Sequence, residues 1–87
     1  MYVVIVYDVN VEYVNKVRIF LKQYLNWVQN SVFEGELTEA EYNKVMNHLE
    51  KIIDKANGHV LCYISRDKRY LKIDEIGIRK AEINNFL

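Results

Sequence analysis

MYVVIVYD, residues 1–8, is the stretch whose reading decides the fold. After Met1 come six consecutive apolar or aromatic residues, Tyr2 to Tyr7, with the β-branched types dominant. A half-exposed strand alternates in polarity, so an unbroken run of this length predicts a strand covered on both faces. Asp8 and Asn10 follow, residue types that favour turns and helix caps. The strand is therefore expected to end at Asp8 and hand over to a helix.

That helix is expected over Val11 to Tyr24. Val14, Val17, Leu21 and Leu25 recur at helical spacing on its inner side, while Lys16, Arg18, Lys22 and Gln23 face outward. Arg18 and Lys22 are four apart and share a face, a mildly unfavourable pairing in isolation. The next segment, NWVQNSVFEGEL (26–37), carries Trp27, Val28, Val32 and Phe33 and reads as strand, with a turn at Gln29-Asn30 making two strands of it. Thr38 opens a second helix: Glu41 stands three residues on, the spacing of a capping box. Tyr42, Val45, Met46, Leu49, Ile52 and Ile53 form its apolar stripe, and Asn57-Gly58 ends it, the glycine supplying left-handed geometry. HVLCYI (59–64) is another strand apolar on both faces. Beyond Ser65 the pattern weakens: Leu71 to Ile76 could form one more short strand, and the last ten residues fray or dock.

Strand, helix, strand, strand, helix, strand is the order of an α+β, ferredoxin-like βαββαβ fold, an antiparallel sheet with both helices on one face. With an extra C-terminal strand it accounts for residues 1–87 as a single domain, with 66–87 as a tail and a strand able to pair with a partner. The fold leaves one sheet face bare, yet Tyr2 to Tyr7 and Val60 to Ile64 are apolar on both faces. No third helix covers that face. A second copy packed sheet to sheet across a two-fold axis would, so a homodimer is expected.

Composition bounds the function. The 87 residues are 51% hydrophobic and 28% charged, with twelve basic and twelve acidic residues and no proline. Zero net charge gives no global nucleic-acid signal. The charges are unevenly spread, however. Residues 15–22 carry Lys16, Arg18 and Lys22 with no acid, 34–41 carry four glutamates with no base, and RDKRYLK (66–72) is again basic. Each run is either a solvated surface or a small phosphate-contacting patch. A lone cysteine, Cys62, excludes an internal disulfide, is expected to be buried and inert in its strand, and fits a reducing compartment. No charged leader followed by a long apolar run opens the chain, so a cytoplasmic protein with no membrane partner is expected.

Chemistry-bearing constellations are sparse. His48 and His59 lack metal-ligand spacing, Gly35 and Gly58 make no phosphate loop, and Ser31 and Ser65 have no nucleophile context. Asp8 reads locally as a turn or capping residue. In a sheet dimer it reads differently, because a two-fold axis near the strand ends would bring two copies of Asp8 together. Two carboxylates in one cleft repel unless a hard cation lies between them. Magnesium or manganese, shared between the two Asp8 side chains, suits oxygen ligands of this kind and would support phosphodiester hydrolysis.

Residues 1–64 closely resemble the CRISPR-associated Cas two family. The resemblance lies in the strand ending Tyr7-Asp8, the helix NKVRIFLKQYL, and the block QNSVFEGEL at 29–37. It implies a ferredoxin-like homodimer in CRISPR spacer acquisition, bridging dimers of the integrase partner (Cas one). It also implies a metal-dependent endonuclease on single-stranded RNA or double-stranded DNA, with Asp8 as catalytic residue and metal ligand at the dimer axis. Many members carry arginine two residues before the glutamine of that block, where this chain has Trp27. Arg18 and Lys22, or Arg66, Lys68 and Arg69, are the substitute nucleic-acid contacts. Two alternatives stand beside this reading. One is a toxin-like messenger-RNA interferase, distinguished by growth arrest without the integrase. The other is a non-catalytic RNA-binding domain stacking bases on sheet aromatics.

Overall fold

A computed structural model describes residues 1–79. Six elements follow in the expected order: β1 (Tyr2–Asp8), α1 (Val11–Leu21), β2 (Asn26–Gln29), β3 (Val32–Glu36), α2 (Glu39–Ala56) and β4 (His59–Ser65), with a single 3₁₀ turn at Lys68–Tyr70. The sheet order is β2-β3-β1-β4 and every pairing is antiparallel. This is the α+β arrangement the element order predicts.

β1 is central, and its two faces have different fates. Val3, Ile5 and Tyr7 point to the helices and are buried with Phe33, Val17, Leu21, Val45 and Leu49 in one core. Phe33 lies directly across from Ile5, and its ring stacks with that of Tyr7 at 6.2 Å. The helices meet where Phe20 of α1 stacks on His48 of α2, ring centres 3.9 Å apart.

The other face carries Tyr2, Val4 and Val6 of β1 with Leu61 and Tyr63 of β4, since Val4 pairs with Tyr63 and Val6 with Leu61. Its covering differs from the expectation. The chain itself covers one end: Tyr2 is only 4% exposed, and Arg79 is bonded to Glu34 beside it. The other end is open, with Leu61 and Tyr63 46% and 58% exposed.

Several details correct the sequence reading. First, α1 stops at Leu21, three residues early, because a tight turn over 22–24 is needed to bring Asn26 back as edge strand β2. Second, Asn57, not Gly58, takes the left-handed conformation (φ 48°, ψ 51°) at the end of α2. Gly58 is required for closeness instead: a Cβ there would lie 2.6 Å from Val9 Cγ1 and 2.8 Å from the Asp8 carbonyl oxygen. Third, Leu71 to Ile76 forms no fifth strand within the chain, although residues 74–79 run beside Val28 and Gln29 of edge strand β2. Fourth, Cys62 is half-buried rather than fully buried, because β4 is an edge strand; partial burial still pushes its thiol pKa up. The capping box is present, Thr38 Oγ1 accepting from the Glu41 N–H at 3.1 Å and Glu41 Oε1 from the Thr38 N–H at 2.9 Å. The hairpin turn falls one residue later than expected, at Asn30-Ser31, with Asn30 at φ 42°. The expectation for the last ten residues lies mostly on 80–87, outside the described residues.

Candidate functional site

Asp8 is the last residue of β1 and is exposed. It does not cap α1: the N-cap is Asn10, whose side chain makes no capping bond. Among the described residues the Asp8 carboxylate enters no salt bridge. Two features fix its position. The antiparallel register sets it against His59, the first residue of β4. Its carbonyl is packed under Gly58, and the Asn10 N–H donates to the Ala56 carbonyl at 3.1 Å, tying the strand exit to the end of α2. Asp8 thus projects from a rigid corner at the open, apolar end of the outer sheet face.

Beneath Asp8, Tyr7 carries a buried phenol whose oxygen has no hydrogen-bond partner among the described residues. Burial pushes its pKa up, while the nearby Ser31 side chain and the Arg18 charge offset part of that shift. On the far side of Gly58 an open groove of about 430 Å³ runs between α2 and β4, lined by Met46, Ile53 and Val60 with Glu50, Asp54 and His59.

The basic residues separate into two groups. Arg66, Lys68 and Arg69 follow β4 at its Ser65 end, level with Tyr2, and so stand about 20 Å along the strands from Asp8. They are also partly engaged: Arg69 is 3.2 Å from Asp67, and Lys68 lies over the Tyr2 ring at 5.7 Å. Within one chain the structure does not bring them to Asp8.

Arg18 and Lys22 converge on a residue the sequence reading treated as a missing arginine. The Arg18 guanidinium lies 5.3 Å and the Lys22 ammonium 5.2 Å from the centre of the Trp27 ring. The indole is anchored by its own N–H, which donates to the Asn30 carbonyl at 2.9 Å. Arg18 also donates to Asn15 Oδ1 at 2.9 Å. Two like charges four apart on a helix repel by about 0.2–0.5 kcal/mol. A cation over an exposed aromatic face gains about 0.5–1 kcal/mol. The indole therefore more than offsets the repulsion, and neither cation has an acidic partner among the described residues. The signal for this cluster was present in the sequence as the acid-free run 15–22, but the hairpin that returns Trp27 to α1 is a tertiary event.

No helix among the described residues is long and apolar enough to cross a membrane. The family model described as CRISPR associated protein Cas2 matches residues 1–73. A protein of Methanosarcina acetivorans named CRISPR-associated endoribonuclease Cas2 is 56% identical over 87 residues, the whole of both chains. One of the same name from Pyrococcus furiosus is 48% identical, again over the whole of both. Among solved structures, the crystal structure of a Cas2 superposes with a TM-score of 0.81 at 48% identity, over 92% of this chain and 90% of that one. Streptococcus pyogenes Cas2 at pH 6.5 gives 0.73 at 30% identity, over 88% of this chain and all of the other. With the family model matched over residues 1–73, relatives this similar from end to end and solved structures that superpose over most of the chain, the chain belongs to the CRISPR associated protein Cas2 family.

Proposed function

We propose that this chain acts in CRISPR spacer acquisition as a homodimer that bridges copies of the integrase partner, and that the dimer cuts phosphodiester bonds at a site built from its two Asp8 carboxylates. One juxtaposition carries the reading. The β4 side of the outer sheet face, with Leu61 and Tyr63 exposed beside half-buried Val4 and Val6, adjoins an exposed Asp8 with no salt-bridge partner among the described residues. Packing two such faces across a two-fold axis buries the apolar side chains and sets the two aspartates facing each other.

The donor set selects the ion. Among the described residues no three His, Cys, Asp or Glu side chains gather as a metal site. One chain is thus too poor in ligands for zinc or calcium. Two Asp8 carboxylates fit magnesium or manganese, which keep several waters and are commonly held by one or two carboxylates. Bound there, such an ion would activate a water and neutralise charge developing on the phosphate. Asp8 would hold the ion, and the Gly58 corner would keep the carboxylate in place. The protein relatives named endoribonuclease support RNA as a substrate, and a duplex is the substrate that the proposed role in spacer acquisition would require.

The test has two arms. Light scattering at micromolar concentration reads the mass, and a monomer overturns the dimer. Cleavage of labelled RNA and duplex DNA is then compared with magnesium, with EDTA, and in Asp8→Ala. The expected result is cleavage that EDTA and Asp8→Ala both abolish while the dimer mass is unchanged. Undiminished cutting by Asp8→Ala overturns the proposed site. Insertion of a short duplex into a repeat array by the integrase, with and without this chain, tests the bridging role on its own.

A further inference from the structure

We infer that Trp27 is a positioning residue for nucleic acid: its indole holds Arg18 and Lys22 together as a two-cation clamp for consecutive phosphates of a duplex backbone. The inference rests on the nucleic-acid reading above and adds a site at the other side of the molecule, on the helix layer beside edge strand β2.

Arg18 and Lys22 are in the last turn and C-cap of α1, where cations are also favoured by the helix dipole. That accounts for their presence on α1 but not for where their charges sit. Both lie just over 5 Å from one ring centre, and the ring is itself tethered to the hairpin through Asn30. Freely solvated long side chains would spread their charges apart. Here they are gathered, with no acid among the described residues paired to them, on a surface whose neighbours along α1 include Lys16 and no acid between residues 15 and 22. A pre-positioned pair of cations with unused charge matches an anion that also presents charge at regular spacing, and a phosphodiester backbone does so. An aromatic ring underneath serves this better than a third cation: it holds the pair in place and adds no repulsion.

Binding of a labelled short DNA duplex, followed against salt concentration, tests this. Arg18→Gln and Lys22→Gln should each flatten the log–log salt dependence by about one unit. Trp27→Leu removes no charge, yet should weaken binding by about three- to tenfold by releasing both cations. Trp27→Phe keeps a ring and should retain most of the affinity, which guards against a variant that merely misfolds. The decisive measurement is Trp27→Leu made in the Arg18→Gln, Lys22→Gln background, where it should have no further effect. A full Trp27→Leu loss persisting in that background overturns the clamp, because the indole would then contact nucleic acid directly or act only on the fold. Unchanged binding by Trp27→Leu in the wild-type background overturns the inference alone. Failure of the wild-type dimer to bind any duplex overturns it together with the reading on which it rests.

Discussion

Arg79 Nη2 donates to Glu34 Oε1 at 2.6 Å, joining residues 45 apart in sequence across the outer face of the sheet. The same guanidinium bonds Glu75 through Nη2 and Nε at 2.6 and 2.7 Å, and the two acids hold its pKa above the ordinary guanidinium value. Glu34 is a buried acid of β3, its side chain only 12% exposed. Arg79 is what makes that burial tolerable, and it straps residues 66–79 over Tyr2. Arg79→Ala should therefore destabilise the chain by about 1–3 kcal/mol, the cost of leaving a buried charged acceptor unsatisfied. Arg79→Lys should fall between, since an ammonium keeps the charge but loses the fork. Urea unfolding measures both. Trypsin should also cut at Lys68, Arg69 and Lys72 faster in Arg79→Ala than in wild type.

Tyr2 reports on the same strap through pH. Burial, and then the adjacent Glu34 carboxylate, push its phenol up to about 12 from the usual 10.0. The pKa is higher in the folded chain, so the unfolded chain loses this proton first as pH rises. Stability owed to Tyr2 is complete below about pH 10 and is lost as pH climbs through about 12. Wild type should thus lose more stability across that window than Tyr2→Phe, whose curve subtracts the lysines common to both. Equal losses in the two proteins would mean that Tyr2 ionises freely and the strap does not cover it.

Gly58 offers a way to disturb Asp8 without touching its chemistry. A Cβ at position 58 meets Val9 Cγ1 at 2.6 Å and, less forgivingly, the Asp8 backbone oxygen at 2.8 Å. Backbone must give way, and the strand end carrying Asp8 is what moves. Gly58→Ala should cost about 1–3 kcal/mol by overpacking and should lower metal-dependent cleavage several-fold more than it lowers dimer yield. Thermal unfolding and a cleavage assay on the same preparation separate the two effects.

What the sequence disclosed and withheld follows the range of the interactions. β1 was legible because a short, β-branched apolar run bounded by Asp8 and Asn10 favours a strand, and α2 because Thr38 and Glu41 satisfy each other three residues apart. Asn57 and Gly58 were readable as a helix stop, but assigning the left-handed residue needed the knowledge that Gly58 is pressed against Val9 and Asp8, nearly fifty residues earlier. Leu71 to Ile76 has strand-like composition and no strand, because a strand requires a neighbour that composition does not supply. The bare sheet face was anticipated and its partial cover was not, since the Glu34–Arg79 pair depends on a contact between distant segments. Trp27 was noticed as a substitution for arginine; that it gathers two cations required the hairpin and the helix to be seen together.

Leu61 decides whether the open half of the sheet is an interface. It lies 46% exposed on β4, directly across from Val6 and two residues from Tyr63. In a lone chain Leu61→Glu adds a charge where water already reaches, so its effect on folding should stay within about 0.5 kcal/mol. Across a two-fold axis the same change enters the interface twice, placing two carboxylates in an apolar contact with no cation to meet them. Each burial of an unpaired charge is far costlier than the apolar area it replaces. Leu61→Glu should therefore give the monomer mass by light scattering under conditions where wild type gives the dimer, with an unaltered far-ultraviolet spectrum. Cleavage should fall with the dimer although Asp8 is untouched, and should return at protein concentrations that restore association. A variant that stays dimeric would place the interface on another face. A monomeric variant that still cuts at the wild-type rate would show that one Asp8 suffices, and the paired-carboxylate site would have to be abandoned.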